Sequence, residues 1–275
     1  MSHLEKSAQV LLPPVTLEVL EKLYCRCNRR EYIHPDPLEF LYAYDDPKDR
    51  ELAGLIASSL AYGRVAQILK SASSVLNRMN PSPSLFLRNA SEKTLLSMFS
   101  DFKHRFTTGR ELIRMLLGAK IAIERYGSLH ECFVAGLGED DDNVLEALSF
   151  FVNALSNECG HGRNSLLPTP AKGSACKRLN LFLRWMVRND DVDPGGWDKV
   201  PPSKLIIPLD THMHRICRLL NLTTCRQATM RTALEITRAF AGLIPDDPTR
   251  YDFVLTRFGI RNDMNLEGWL KRISV

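Results

Sequence analysis

Apolar side chains recur at helical spacing through most of this chain, and each run is fenced by proline, glycine, asparagine or aspartate. A pattern of this kind closes as many moderate helices joined by short turns, because each apolar stripe must find a neighbour to cover it. Thr16 is placed to cap a helix running to about Arg29, with Leu17, Leu20 and Tyr24 at helical spacing. Asp36-Pro37 opens a short helix carrying Leu38, Phe40 and Leu41, since proline suits the first helical position. Asp46-Pro47 starts a longer one, apolar over residues 51–62 and ended by Gly63. Further helices are predicted over residues 65–79, 81–88, 92–99, 108–126 (closed by Gly127) and 142–157, with a polar loop over 157–165. Neither an internal repeat nor a clear strand pattern interrupts this order, so the expected fold class is all-α.

Composition narrows the setting. A chain of 275 residues buries a sizeable core as one large domain or two intimately packed ones, and two is the working number. No run approaches the roughly 18 to 20 apolar residues of a membrane span, and Met1-Ser2-His3-Leu4-Glu5-Lys6 shows no secretion signal, so no membrane association and a cytoplasmic location are expected. The seven cysteines (Cys25, Cys27, Cys132, Cys159, Cys176, Cys217 and Cys225) are scattered without a Cys-x-x-Cys pair. That argues for reduced thiols and against a disulfide framework, a zinc ribbon or an iron–sulfur cluster. A net charge of +4 does not by itself call for nucleic acid; its local distribution is more telling.

The segment Leu166-Leu167-Pro168-Thr169-Pro170-Ala171-Lys172-Gly173 cannot be regular helix, because two prolines and a glycine break its backbone ladder. It delivers the chain into a predicted helix over residues 174–188. From Lys172 to Arg188 there are five basic residues and no acidic one. A glycine-ended connector opening into a helix N-terminus offers unpaired N–H groups and a positive dipole end, which suits a phosphate; a solvated basic face has the same pattern. Downstream, a turn-rich linker containing Trp197 leads to the apolar run Leu205-Ile206-Ile207-Pro208-Leu209 and then to Asp210. Asp210 stands where a helix N-cap would, with Met213, Ile216, Cys217 and Leu220 forming the apolar face behind it. Asp210, His212 and His214 do not make a metal triplet, because side chains two apart on a helix diverge. No metal and no cofactor are expected.

Pro208-Leu209-Asp210-Thr211-His212-Met213-His214-Arg215-Ile216 resembles the element of the endonuclease III-like, helix-hairpin-helix DNA glycosylase superfamily in which an essential aspartate begins a helix. Gly173-Ser174-Ala175-Cys176-Lys177-Arg178-Leu179-Asn180 is similar to the hairpin that supplies the attacking lysine in bifunctional members. Residues 51–60 resemble the helix before the strand-inserting loop, and residues 251–259 the closing helix. The string over residues 176–188 also resembles a bacterial family of conserved hypothetical proteins. The usual hairpin Leu-Pro-Gly is replaced here by Leu167-Pro168-Thr169, and the long connection from Lys177 to Asp210 is similar to that of the archaeal 8-oxoguanine glycosylase branch.

The resemblance implies two helical domains, residues 49–191 ending in the hairpin and residues 1–48 with 192–275, and an active-site cleft between them. It implies a DNA repair enzyme, a glycosylase with β-lyase activity, that flips a damaged base, an oxidised purine such as 8-oxoguanine being favoured, out of double-stranded DNA. Lys177, held neutral by a dry pocket and the cations Arg178 or Lys172, would attack C1′ and form a Schiff base, while Asp210 would stabilise the cation-like sugar or take a proton. Lys172 and Lys204 are fallback nucleophiles. Lys172, Gly173, Ser174 and Arg178 would hold phosphate, and Trp197, Trp185 and His212 would line the base pocket, with Tyr62 and Phe258 as further stacking candidates. The expected particle is a monomer. A noncatalytic nucleic-acid-binding protein that keeps the hairpin, and an interaction protein on the same scaffold, are the competing readings; in the first of these Asp210 would be a bare helix cap and Lys177 a phosphate contact.

Overall fold

A computed structural model describes residues 16–156, 164–261 and 263–273, and it is mostly helical with little strand. The punctuation read from the sequence acts as helix caps. Helix α1 (Leu17–Cys27) follows Thr16, whose backbone is extended as a cap requires although its side chain makes no cap hydrogen bond. Asp36 accepts from Leu38 N at 3.0 Å and starts Pro37–Ala43, which is a 3-10 helix. Asp46 likewise caps α2 (Pro47–Ser59), which ends four residues before Gly63. Helices α3 (Val65–Arg78), α4 (Pro83–Asn89) and α5 (Glu92–Phe99) follow, the last two capped by Ser82 and Ser91. A two-residue hairpin, β1 (Lys103–His104) with β2 (Thr107–Thr108), precedes α6 (Gly109–Tyr126). Thr108 and Glu111 close a reciprocal capping box there.

Two short helices, α7 (Leu129–Val134) and α8 (Leu145–Ser156), complete the first half, and α9 (Lys177–Val187), α10 (Thr211–Leu219), α11 (Met230–Ala241), α12 (Asp252–Ile260) and α13 (Leu266–Ile273) make up the second. Helices α7, α11 and α13 lie in stretches where the periodicity assigned none.

Helix α2 is buried along nearly its whole length, from Leu52 to Ser59, and is the centre of the packing. It touches α9, α3, α4, α7 and the 3-10 helix, while α6 packs on α5, α7 and α8, and α12 on α10 and α1. The α6 and α8 backbones meet at Gly118, where a Cβ would sit 1.9 Å from Leu155 O, so only glycine fits. Among the described residues no helix is long and apolar enough to cross a membrane.

Glu51 joins distant parts of this core. Buried on α2, it accepts from Leu129 N at 3.0 Å and His130 N at 3.1 Å, two first-turn N–H groups of α7 that the N-cap Ser128 leaves open, and from Trp197 Nε1 at 2.9 Å. Burial pushes its carboxyl up to about 7 against the opposing pull of these donors. Trp197 is thereby fixed in the core, stacked on His130 at 5.3 Å, and Trp185 is equally buried. Neither is a base-pocket residue, contrary to the expectation from sequence. The polar, glycine-rich setting of Trp197 suggested exposure, but a single buried carboxylate satisfies its indole N–H and lets the ring pack inward.

Candidate functional site

The connector before α9 is shaped by two left-handed residues. Gly173 (φ 74°) closes the 3-10 turn Pro170–Lys172, and Cys176 (φ 47°) turns the chain into the helix. The helix therefore starts at Lys177 and not at residue 174. The three residues expected as its first turn do something else: Ser174 forms an antiparallel bridge with Thr229, and Gly173 O accepts from Met230 N at 3.2 Å. Lys172, Gly173 and Ser174 consequently lie exposed beside the segment that opens α11. Lys177, as the first helical residue, points inward and donates from Nζ to Ala61 O at 3.3 Å.

Asp210 arrives from a different direction. The run over residues 205–209 is buried and extended, and Asp210 terminates it as the N-cap of α10. Its Oδ1 accepts from Met213 N at 2.8 Å. That leaves Oδ2 free to face Lys177 Nζ, 3.9 Å away, with each side chain a little over a quarter exposed (27% and 28%). Both line a cavity of about 600 Å³ that also takes in Asp36, Tyr62, His212 and Asp252.

Asp252 is the cavity residue that sequence reasoning missed as chemistry. It is the first residue of α12 and buried; one carboxylate oxygen accepts from Arg184 Nη1 at 2.5 Å, and Oδ1 has no hydrogen-bond partner among the described residues. An acid in a first turn reads from sequence as a dipole complement, and only its burial beside Asp210 and Lys177 reveals more. Burial pushes its carboxyl up to about 6 from an ordinary 3.8; Arg184 opposes that rise, and Asp210 adds to it.

The sign follows from proton linkage. The folded chain holds this proton up to about pH 6 and the unfolded chain only to about 3.8, so the stability Asp252 contributes falls as pH rises between the two. Carboxyl-carbon NMR should place the Asp252 midpoint near 6, and Asp252→Asn should remove that share of the stability slope. A midpoint at the ordinary value would contradict the burial argument.

Further along the same helix, Arg257 donates to Asp36 Oδ2 at 2.5 Å and to the carbonyls of Tyr32 and Ile33, lying 4.3 Å over the Phe253 ring. The walls thus come from residues near 36, 62, 177, 210 and 252. A family model described as "Protein of unknown function (DUF2400)" matches residues 36–261, a span that contains every residue lining this cavity. The chain belongs to the DUF2400 family. No curated protein and no solved structure matches it.

In this DUF2400 member the remaining sequence candidates divide clearly. His212 is exposed and lines the cavity. Tyr62 also lines it, held by its hydroxyl, which donates to His104 O at 2.8 Å and accepts from Thr107 Oγ1 at 2.7 Å, and stacks at 4.8 Å on Phe106. Phe106 is 63% exposed at the tip of the small hairpin, an exposed aromatic that periodicity could not flag.

Arg178 is redirected from the expected phosphate contact. Its guanidinium donates to Ser59 O at 2.6 Å and Ser165 O at 2.5 Å and sits over Tyr62, so it ties α9 to α2. Burial lowers its pKa from the usual guanidinium value. Lys204 is spent on Gly138 O and Glu139 O, and neither it nor Lys172 reaches the cavity, which removes both fallback nucleophiles. Phe258 packs against Trp269 at 5.2 Å and also lies outside the cavity lining. His214 turns its Nε2 to Cys225 O at 2.9 Å, and no group of three metal-ligating side chains is assembled among the described residues. Cys159 lies outside the described residues.

Proposed function

We propose that this protein is a DNA glycosylase with β-lyase activity on a damaged base in double-stranded DNA, an oxidised purine such as 8-oxoguanine being favoured. The observation that carries the reading is the meeting of Lys177 Nζ and Asp210 Oδ2 at 3.9 Å inside a cavity of about 600 Å³. Each residue stands at the start of its own helix, far from the other along the chain. That volume lies within the range of about 300 to 1,000 Å³ typical of small-ligand sites, enough for an extruded base and its sugar. In this reading the fold is a two-domain helix-hairpin-helix arrangement, with Lys177 from residues 49–191 facing Asp210 from residues 192–275 across a cleft.

The chemistry assigns each group one task. Extruding a nucleotide costs roughly a few kcal/mol of unstacking, least for a damaged base. Asp210 takes the proton of the Lys177 ammonium, and the freed amine attacks C1′ of the sugar as the C1′–N bond breaks; the base leaves with the bond's electron pair and takes up the proton that Asp210 had accepted. The carboxylate regenerated in this way offsets the positive charge of the amine now bound to C1′. Opening of the ring at O4′ converts the adduct to an imine, and loss of a C2′ proton expels the 3′ phosphate oxygen, which cuts the strand. The exposed Phe106, stacked on Tyr62 beside the cavity, offers a ring to the gap left in the duplex; such stacking contributes about 1 to 3 kcal/mol per base. A monomer working in the cytoplasm on nucleoid DNA fits this role.

The test is to incubate the protein with duplexes carrying 8-oxoguanine, uracil or an abasic site and to add borohydride, which reduces an imine to a stable amine. A covalent protein–DNA adduct on a damaged duplex, absent from an undamaged one, is the expected result. No adduct and no released base from any lesion would overturn the proposal.

A further inference from the structure

Two groups of arginines in this chain differ in their partners. Arg78, Arg184, Arg188, Arg250, Arg257 and Arg261 are each held by a carboxylate. By contrast, the segment over residues 211–234 carries Arg215, Arg218, Arg226 and Arg231 with no aspartate or glutamate at all. All four are exposed, and among the described residues none of them makes a hydrogen bond or an ion pair. The first acid beyond them, Glu235, accepts from Cys225 Sγ at 3.2 Å and feels Arg231 only as a nearby charge.

Their placement is not random. His212, Arg215 and Arg218 follow at intervals of three on α10 and share its outer face, spaced by about 4.5 Å along the helix axis. Arg226 and Arg231 flank Thr229, which the bridge to Ser174 brings against the exposed connector holding Lys172. The same stretch supplies Thr211, His212 and Ala228 to the rim of the cavity. Positive charge without a hydrogen-bonded acid therefore runs along one side of a cavity in whose lining Asp36, Asp210 and Asp252 are each matched by a cation, Arg257, Lys177 and Arg184. Such an arrangement draws a polyanion to the rim.

We propose that the outer face of α10, the 226–231 loop and Lys172 form the track for the sugar-phosphate backbone of a nucleic-acid duplex beside the cavity. The identity of that duplex as DNA rests on the functional reading above. A membrane surface fits less well, since Leu219 is the single large exposed apolar side chain in this segment and interfacial binding needs an apolar face.

The experiment measures affinity of the full chain for a short undamaged DNA duplex by fluorescence anisotropy over a range of salt. It compares wild type with Arg215→Gln/Arg218→Gln and with Arg226→Gln/Arg231→Gln, all partnerless surface positions. The slope of log K against log salt should shrink by about 0.9 for each phosphate left without its arginine, hence by about 1.8 in each double variant. Unaltered slopes in both double variants would overturn the track, as would anionic phospholipid vesicles competing as strongly as the duplex. Adduct formation with unaltered slopes would leave the glycosylase standing and remove the track. Reduced slopes without any adduct would keep the track and remove the glycosylase.

Discussion

Lys177→Ala should abolish borohydride trapping, and Asp210→Asn should slow base release by about 10² to 10³-fold under single-turnover conditions. The two substitutions are informative because their structural costs are small. Lys177 gives up one hydrogen bond of 3.3 Å to Ala61 O and is partly exposed. Asparagine at position 210 retains a side-chain oxygen for Met213 N and is as good an N-cap as aspartate, so α10 should form unchanged. What Asp210→Asn removes is the charge on the oxygen facing Lys177. Urea denaturation of both variants should stay within about 1 kcal/mol of wild type, which separates loss of chemistry from loss of fold. A Lys177→Ala protein that still traps DNA would move the nucleophile elsewhere and end the present assignment.

The largest effect on stability should come from Asp193→Ala, a loss of about 3 to 5 kcal/mol read from urea denaturation. Asp193 is fully buried and shared: Oδ1 accepts from Arg184 at 3.1 and 3.2 Å, and Oδ2 accepts from Arg188. Arg188 also meets Asp190 at 2.8 Å and Asp247 at 2.9 Å, and Tyr24 of α1 donates to Asp190 at 2.8 Å. Removing the shared carboxylate leaves two buried guanidiniums short of a partner, which costs far more than the pair contributes over an apolar replacement. Because Arg184 is also the hydrogen-bond partner of Asp252, the same variant should shift the Asp252 titration. A destabilisation below about 1 kcal/mol would mean that neighbouring carboxylates can take over, and the network would then be redundant.

Legibility from sequence tracked how local each determinant is. Helix α5 and its bounds, the cap at Thr108 with its stop at Gly127, and Asp210 as an N-cap were all readable, because caps and periodicity act within a few residues. Helix α7 was not, since so short a helix has little period and two of its first N–H groups are satisfied by Glu51, far back along the chain on α2. The start of α9 was misplaced for the same reason: Ser174 answers to Thr229 and not to its chain neighbours. Lys177 and Asp210 could be singled out through the motifs around them, whereas Asp36 and Asp252 became cavity residues only when the chain folded back on itself. Trp197 and Arg178 misled because residue type suggests stacking or phosphate binding, while their actual partners, Glu51 and two backbone carbonyls, come from α2 and from Ser165 just before the connector.

The walls of the cavity begin at Asp36 and end at Ile260. A chain still emerging from the ribosome holds Lys177 and Asp210 before it holds Asp252 and Arg257, and the cavity cannot close until α12 is free to dock. Under the proposed function, synthesis itself then acts as a safety catch: the complete site is assembled only once the whole wall has been made.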